Sequence, residues 1–149
     1  MGETNKVVVR YLDNRTLKGT TEDFFQNRPS FHVYVAGEAT SQLVQCAELK
    51  AVFFVKDLAG DSDRQDTVGF TREANETSAG KKIAALFKDG EVLCGHTLSY
   101  TPDRPGFFVM PDDSGTNNLR VYVLRHATAK VGVGPKADDV VREAKRDAA

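Results

Sequence analysis

Short apolar and β-branched runs alternate with polar turns along most of the chain. Val7–Tyr11 and Thr16–Gly19 flank Asp13-Asn14, and further on "IAALF" and "EVLCG" flank Asp89-Gly90. An aspartate-led pair between two such runs predicts a hairpin, because the residues at its tip must accept positive φ. More strands are predicted at Phe31–Val35, Leu43–Ala47 and Ala51–Val55, and again at Phe107–Met110, Leu119–Leu124 and Ala129–Val133. Five short strands in about 50 residues, joined by tight turns, predict a small closed or nearly closed barrel. The period changes only in the tail "GPKADDVVREAKRDAA", where Ala137, Val140, Val141, Ala144 and Ala148 fall along one helical stripe. Pro135 suits the start of that helix, and Asp138 and Asp139 suit its first turns.

The pattern occurs twice. Sliding the chain by 76 residues sets residues 7–33 on 83–109 with eight identities, among them Asp13/Asp89, Gly19/Gly95, Arg28-Pro29/Arg104-Pro105, Phe31/Phe107 and Val33/Val109. After a two-residue insertion "LVQCAELKAVFFV" answers "LRVYVLRHATAKVGV". Self-similarity at a fixed offset signals a repeated structural unit. The expected organisation is a first barrel over 6–56, a linker over 57–80, a second barrel over 81–133 and a C-terminal helix over 134–149. Gly19 and Gly95 interrupt the second strand of each unit, which predicts a bulge or sharp bend there.

Charge sharpens the division. The net charge is −1, but residues 6–56 and 81–133 each carry seven basic and five acidic residues, while 57–80 carries six acidic and two basic. Two mildly basic units are thus joined by an acidic connector. Asp57, Asp61, Asp63 and Asp66 in that connector lack the spacing of a calcium loop. No apolar run approaches the roughly 18 residues of a membrane helix, and "MGETNKVVVR" has no apolar signal region. These features predict a cytoplasmic protein, with no membrane association and with Cys46 and Cys94 as free thiols. Two cysteines and three scattered histidines make no zinc pattern.

Candidate chemistry is sparse. There is no phosphate-cradling glycine loop, no G-x-S-x-G and no H-E-x-x-H. Cys94 and His96 share a strand face, but a Cys-His nucleophile also needs an orienting group and an oxyanion site. The first repeat has Lys18 and Thr20 at those positions. Asp112-Asp113 before Ser114-Gly115 reads as a turn. The expectation is a non-enzyme without a cofactor. The repeated Arg-Pro-x-Phe-x-Val segment is the best candidate binding surface: Arg28, Pro29 and Phe31 with Arg104, Pro105 and Phe107. Proline fixes its own φ and drives the preceding residue to extended backbone. Core packing of the two phenylalanines is the competing reading.

The succession of strand, aspartate-led turn, glycine-bearing strand and D-x-F-x-N loop, in "YLDNRTLKGTTEDFFQN", resembles the first half of the Sm-like fold, a bent five-stranded barrel of RNA-binding rings. The resemblance covers residues 7–27 and, more loosely, 83–96. It implies single-stranded RNA contacts from the loop of Asp23, Phe25 and Asn27, with the aromatic stacking on a base and Asn27 reading its edge. The second repeat has Ser99, Thr101 and Asp103 there, and neither repeat has the Ile-Arg-Gly stretch of that family. Taken whole, the chain resembles an uncharacterised family of bacterial domains with a duplicated Sm-like or SH3-like small β-barrel. The fold class expected is therefore mainly β: two tandem five-stranded Sm-like/SH3-like barrels and a short C-terminal helix. The function expected is a non-catalytic protein-binding or regulatory module, a signalling adaptor with a protein partner. The alternatives are Sm-like RNA binding and a cyclic-dinucleotide sensor gripping phosphates with Arg28 and Arg104, although the R-x-x-x-R and D-x-S-x-x-G signature of such sensors is absent.

Overall fold

Asn14 and Gly90 both take left-handed backbone, with φ of 73° and 96°, and each turns a hairpin at the same place in its repeat. Asp13 Oδ1 accepts the Arg15 N–H at 3.1 Å, and Asp89 Oδ1 accepts the Glu91 N–H at 3.0 Å. The short acidic side chain thus replaces a backbone acceptor at the tip. In the computed structural model, described over residues 4–26, 28–56, 81–97, 100–101, 103–111 and 118–148, these hairpins open two runs of five strands. The first run is β1 (Asn5–Tyr11), β2 (Thr16–Thr21), β3 (Ser30–Val35), β4 (Ser41–Gln45) and β5 (Leu49–Val55). The second is β6 (Lys81–Phe87), β7 (Val92–Thr97), β8 (Gly106–Pro111), β9 (Asn118–Leu124) and β10 (Thr128–Val133), followed by helix α1 (Pro135–Ala148). One 3-10 turn, Cys46–Glu48 or Arg125–Ala127, precedes the last strand of each run. The acidic linker 57–80, Asn27, Ser99 and the Asp112–Gly115 turn lie outside the described residues.

The duplication holds residue for residue in the hydrogen-bond register. Val7 faces Gly19 as Ile83 faces Gly95, Thr20 faces Tyr34 as His96 faces Met110, and Phe31 faces Val44 as Phe107 faces Val123. Val44 and Val123 lie 79 apart, so the second repeat carries three extra residues between its third and fourth strands, one more than the sequence alignment suggests. Gly19 and Gly95 sit in unbroken register, and the bend there is a close approach rather than a bulge. A Cβ on Gly19 would lie 2.2 Å from the Tyr34 carbonyl oxygen, and one on Gly95 would lie 2.2 Å from that of Met110. Register shifts fall elsewhere: at Lys50 in β5, at its counterpart Ala129 in β10, and at Leu119 in β9 where that strand meets β5.

All ten strands form one antiparallel sheet in the order β10-β6-β7-β8-β9-β5-β1-β2-β3-β4. The expectation of two tandem barrels is corrected in this respect: the sheet is continuous and not closed. Each half has its last strand beside its first, but β5 pairs with β9 of the other half, Ala51 to Val123 and Phe53 to Val121. That pairing takes up the backbone groups that closure of either half on itself would have needed.

Because strand side chains alternate, the two junction strands serve both cores. Val52 and Phe54 of β5 join Val7, Val9, Phe31 and Val33 in the first, where Tyr122 and Leu124 of β9 also pack. Ala51 and Phe53 face the other way, into the second core with Ile83, Phe87, Phe107, Val121 and Val123. Around the junction Phe24 meets Phe31, Phe54 and Tyr122 edge-on at centroid distances of 5.0–5.3 Å, a favoured aromatic geometry. Helix α1 lays Ala137, Val140 and Val141 over Ala84, flanked by Leu86, Val92 and Cys94. Among the described residues no helix is long and apolar enough to cross a membrane.

Candidate binding site between the repeats

The two Arg-Pro pairs do the same structural work. The Pro29 carbonyl accepts the Cys46 N–H at 2.8 Å, and the Pro105 carbonyl accepts the Arg125 N–H at 2.9 Å. Proline has no N–H of its own, but its carbonyl remains an acceptor. Here it ties the loop before the third strand to the 3-10 turn after the fourth. One residue earlier, the Arg28 N–H reaches the Phe25 carbonyl and the Arg104 N–H reaches that of Thr101. Both arginine side chains are left at the surface.

The β5–β9 junction then brings the two loops to one place. Arg28 and Pro29 from the first repeat, and Arg104 and Pro105 from the second, line a single cavity of about 750 Å³. Tyr122 and Leu124 supply its apolar wall, and the 3-10 turns add Cys46, Ala47 and His126. Four of the six residues expected on a binding surface are therefore together. Phe31 and Phe107 are not: they are 1% and 3% exposed and belong to the cores, because the face they share with Val33 and Val109 is the interior one. The sequence reading also missed Tyr122, Cys46 and His126. The signal was the insertion length, since the three-residue offset pairs Ala47 with His126 and puts both at the same bend.

Charge and protonation in the cavity follow from its burial. Burial raises the Tyr122 hydroxyl above its ordinary range; the nearby Cys46 sulfur adds to this, and Arg104 partly opposes it. Burial also raises the Cys46 thiol. Both groups are thus protonated at neutral pH, and Cys46 lacks the thiolate that a nucleophile needs. His126 donates from Nε2 to the Leu49 carbonyl at 2.7 Å, which fixes its tautomer when neutral. The site therefore offers two guanidinium groups beside an apolar wall. Such a set suits an anionic group attached to an apolar body.

The residues implied by the Sm-like resemblance divide. Asp23 is engaged within the fold, accepting the His32 N–H at 2.8 Å and lying 2.7 Å from His32 Nδ1. Burial works against its ionisation, but the His32 hydrogen bonds outweigh it and hold the carboxyl below its usual range. Phe25 is 50% exposed, and the Arg28 guanidinium lies 4.8 Å from its ring centroid. Asn27 lies outside the described residues.

A protein-family signature described as "Family of unknown function (DUF6982)" matches residues 3–134. The chain belongs to this family. The DUF6982 match spans both repeats and every residue lining the cavity, and it ends before α1. Comparison with curated proteins and with solved structures finds no match.

Proposed function

We propose that the chain is a non-catalytic regulatory module of the bacterial cytoplasm that binds a protein partner, and that the inter-repeat cavity takes an acidic segment of it. The observation that carries this is the convergence of Arg28 and Arg104, from loops 76 residues apart, on one cavity with an apolar wall. The size falls in the range of ligand pockets. Two arginines suit bidentate carboxylate recognition, and Tyr122 with Leu124 suits an adjacent apolar side chain. In this reading each half is an Sm-like or SH3-like unit, with the strand order 5-1-2-3-4, fused edge to edge to its twin.

The test is fluorescence anisotropy with a library of acidic peptides carrying an apolar residue beside Asp or Glu. Arg28→Ala and Arg104→Ala are each expected to weaken the selected peptide about tenfold or more, as for loss of a charged hydrogen bond of about 1.5–3 kcal/mol. Unchanged affinity in both variants overturns the proposal.

A second reading, single-stranded RNA, is favoured by one observation: the exposed Phe25 ring carries Arg28 at the rim of the same cavity. Stacking on such an aromatic is worth about 1–3 kcal/mol per base. Filter binding of oligo-U and oligo-A across a salt series decides it. A steep salt slope together with loss of binding in Phe25→Ala establishes RNA as the ligand, whereas a flat response removes that reading. A cyclic dinucleotide titrated in the same assay tests the phosphate-gripping alternative.

A further inference from the structure

The β5–β9 junction joins unlike edges. It pairs the last strand of one repeat with the fourth strand of the other. By the internal repeat, the sheet's two terminal strands are the same two edges over again: β10 corresponds to β5, and β4 corresponds to β9. A head-to-tail junction of this kind does not use itself up, and each added unit presents the next edge.

The two ends are finished differently. At the β4 end Leu43 stands where Tyr122 stands in β9, yet Leu43 is 50% exposed and Tyr122 is 2% exposed. His32, also exposed, stands where Phe108 packs on the first core. At the β10 end Lys130 and Gly132 replace Ala51 and Phe53, whose side chains enter the second core. That face of β10 is covered by α1. A Cβ at Gly132 would lie 2.4 Å from the Lys136 carbonyl oxygen and 2.8 Å from Val140 Cγ2, so exchanging the bulky Phe53 position for glycine admits the helix. Lys130 pairs with Glu143, and Lys82 lies 3.7 Å from Asp138. Helix α1 thus lies against β10 where the body of the second repeat lies against β5.

We propose that α1 stands in for a third repeat, and that its release opens a docking surface on β10 for β4 of a second copy of this chain. Shifting the β5–β9 register by 79 residues gives the expected contacts: Lys130 opposite Val44, Val131 opposite Leu43, Gly132 opposite Gln42 and Val133 opposite Ser41 of the second chain. Leu43 then covers Val131 and Val133, which are only partly buried, as Tyr122 covers Val52 and Phe54. Among the described residues, α1 is held by Ala137, Val140 and Val141 over Ala84 and by the Lys82–Asp138 and Lys130–Glu143 pairs, whose partly exposed charges make them open to reversal. A terminal cap of this kind keeps a repeat array finite.

The experiment compares the full chain with Asp138→Lys/Glu143→Lys and with Val140→Asp by light scattering over a concentration series. The wild type is expected at single-chain mass throughout. The charge-reversed variant, altered only at partly exposed or exposed side chains, is expected to at least double its weight-average mass at high concentration, and Val140→Asp to do so more strongly. Adding Leu43→Asp to either is expected to restore single-chain mass. A folded charge-reversed variant that stays at single-chain mass overturns the proposal, as does association indifferent to Leu43→Asp. A wild type that associates to the same extent as the variants overturns the role given to α1. If Val140→Asp loses its sheet by circular dichroism, the charge-reversed variant decides.

Discussion

Gly19→Ala and Gly95→Ala are each expected to cost about 3 kcal/mol, the upper range for forcing a methyl group into a packed core. The methyl group of the alanine would sit 2.2 Å from a carbonyl oxygen of the next strand, and 2.8 or 2.7 Å from Val33 Cγ1 or Val109 Cγ1 of that same strand. A flexible side chain could swing away, but a carbonyl held in a ladder cannot move without breaking the Thr20–Tyr34 or His96–Met110 pairing beside it. For a domain of this length the loss corresponds to a fall in Tm of roughly 10 °C. Gly37→Ala is the control. Its Cβ would meet nothing within 4 Å, but its φ of +82° strains an alanine, so about 1 kcal/mol is expected. Thermal melts of the three variants check the order; equal losses at Gly19 and Gly37 would remove close approach as the cause.

The second large effect is expected at Lys50. This bulged residue of β5 is 5% exposed, and its ammonium reaches Asp89 at 2.8 Å and Glu91 at 3.0 Å, both at the β6–β7 turn of the other repeat. It also lies 4.6 Å from the Phe87 ring centroid. Asp89→Asn/Glu91→Gln leaves the ammonium buried without a counter-charge and is expected to cost about 3–5 kcal/mol. Lys50→Met fills the same volume without a charge and is expected to lie within about 1 kcal/mol of wild type. Urea midpoints separate the two, and a large loss in Lys50→Met would mean that the ion pair itself stabilises the fold. The pH response has a definite sign. Burial opposes ionisation of Asp89, but the Lys50 hydrogen bond, the Glu91 N–H and the Lys50 charge together lower its pKa in the fold. Stability from this group is therefore complete above the ordinary carboxylate pKa of about 3.9 and falls as pH drops through the lowered folded value. The urea midpoint is expected to decline more in wild type than in Lys50→Met as pH is taken from neutral to 3.

Much of the fold was legible because local chemistry agrees with the tertiary result. Asp13-Asn14 and Asp89-Gly90 mark hairpins that form as hairpins, and Ala137, Val140 and Val141 of the tail's apolar stripe pack from a helix. Sheet closure was not legible. Whether a fifth strand pairs within its own half or across to the other depends on long-range edge partners, which alternation along one strand does not encode. Ala51 and Phe53 carried a hint, since a run of apolar residues on both faces is what a strand buried on two sides requires. The cavity was half legible. Arg28 and Arg104 stood out as repeats, whereas Tyr122 and His126 became members only when the junction folded the two loops together.

The exchange of core residues across β5 and β9 has a further consequence. A half expressed alone would lack either Tyr122 and Leu124 or Ala51 and Phe53, leaving an apolar gap and a naked strand. The duplicated segments have therefore ceased to be interchangeable parts: a substitution in one is felt by the other, and heat is expected to melt both in a single cooperative step.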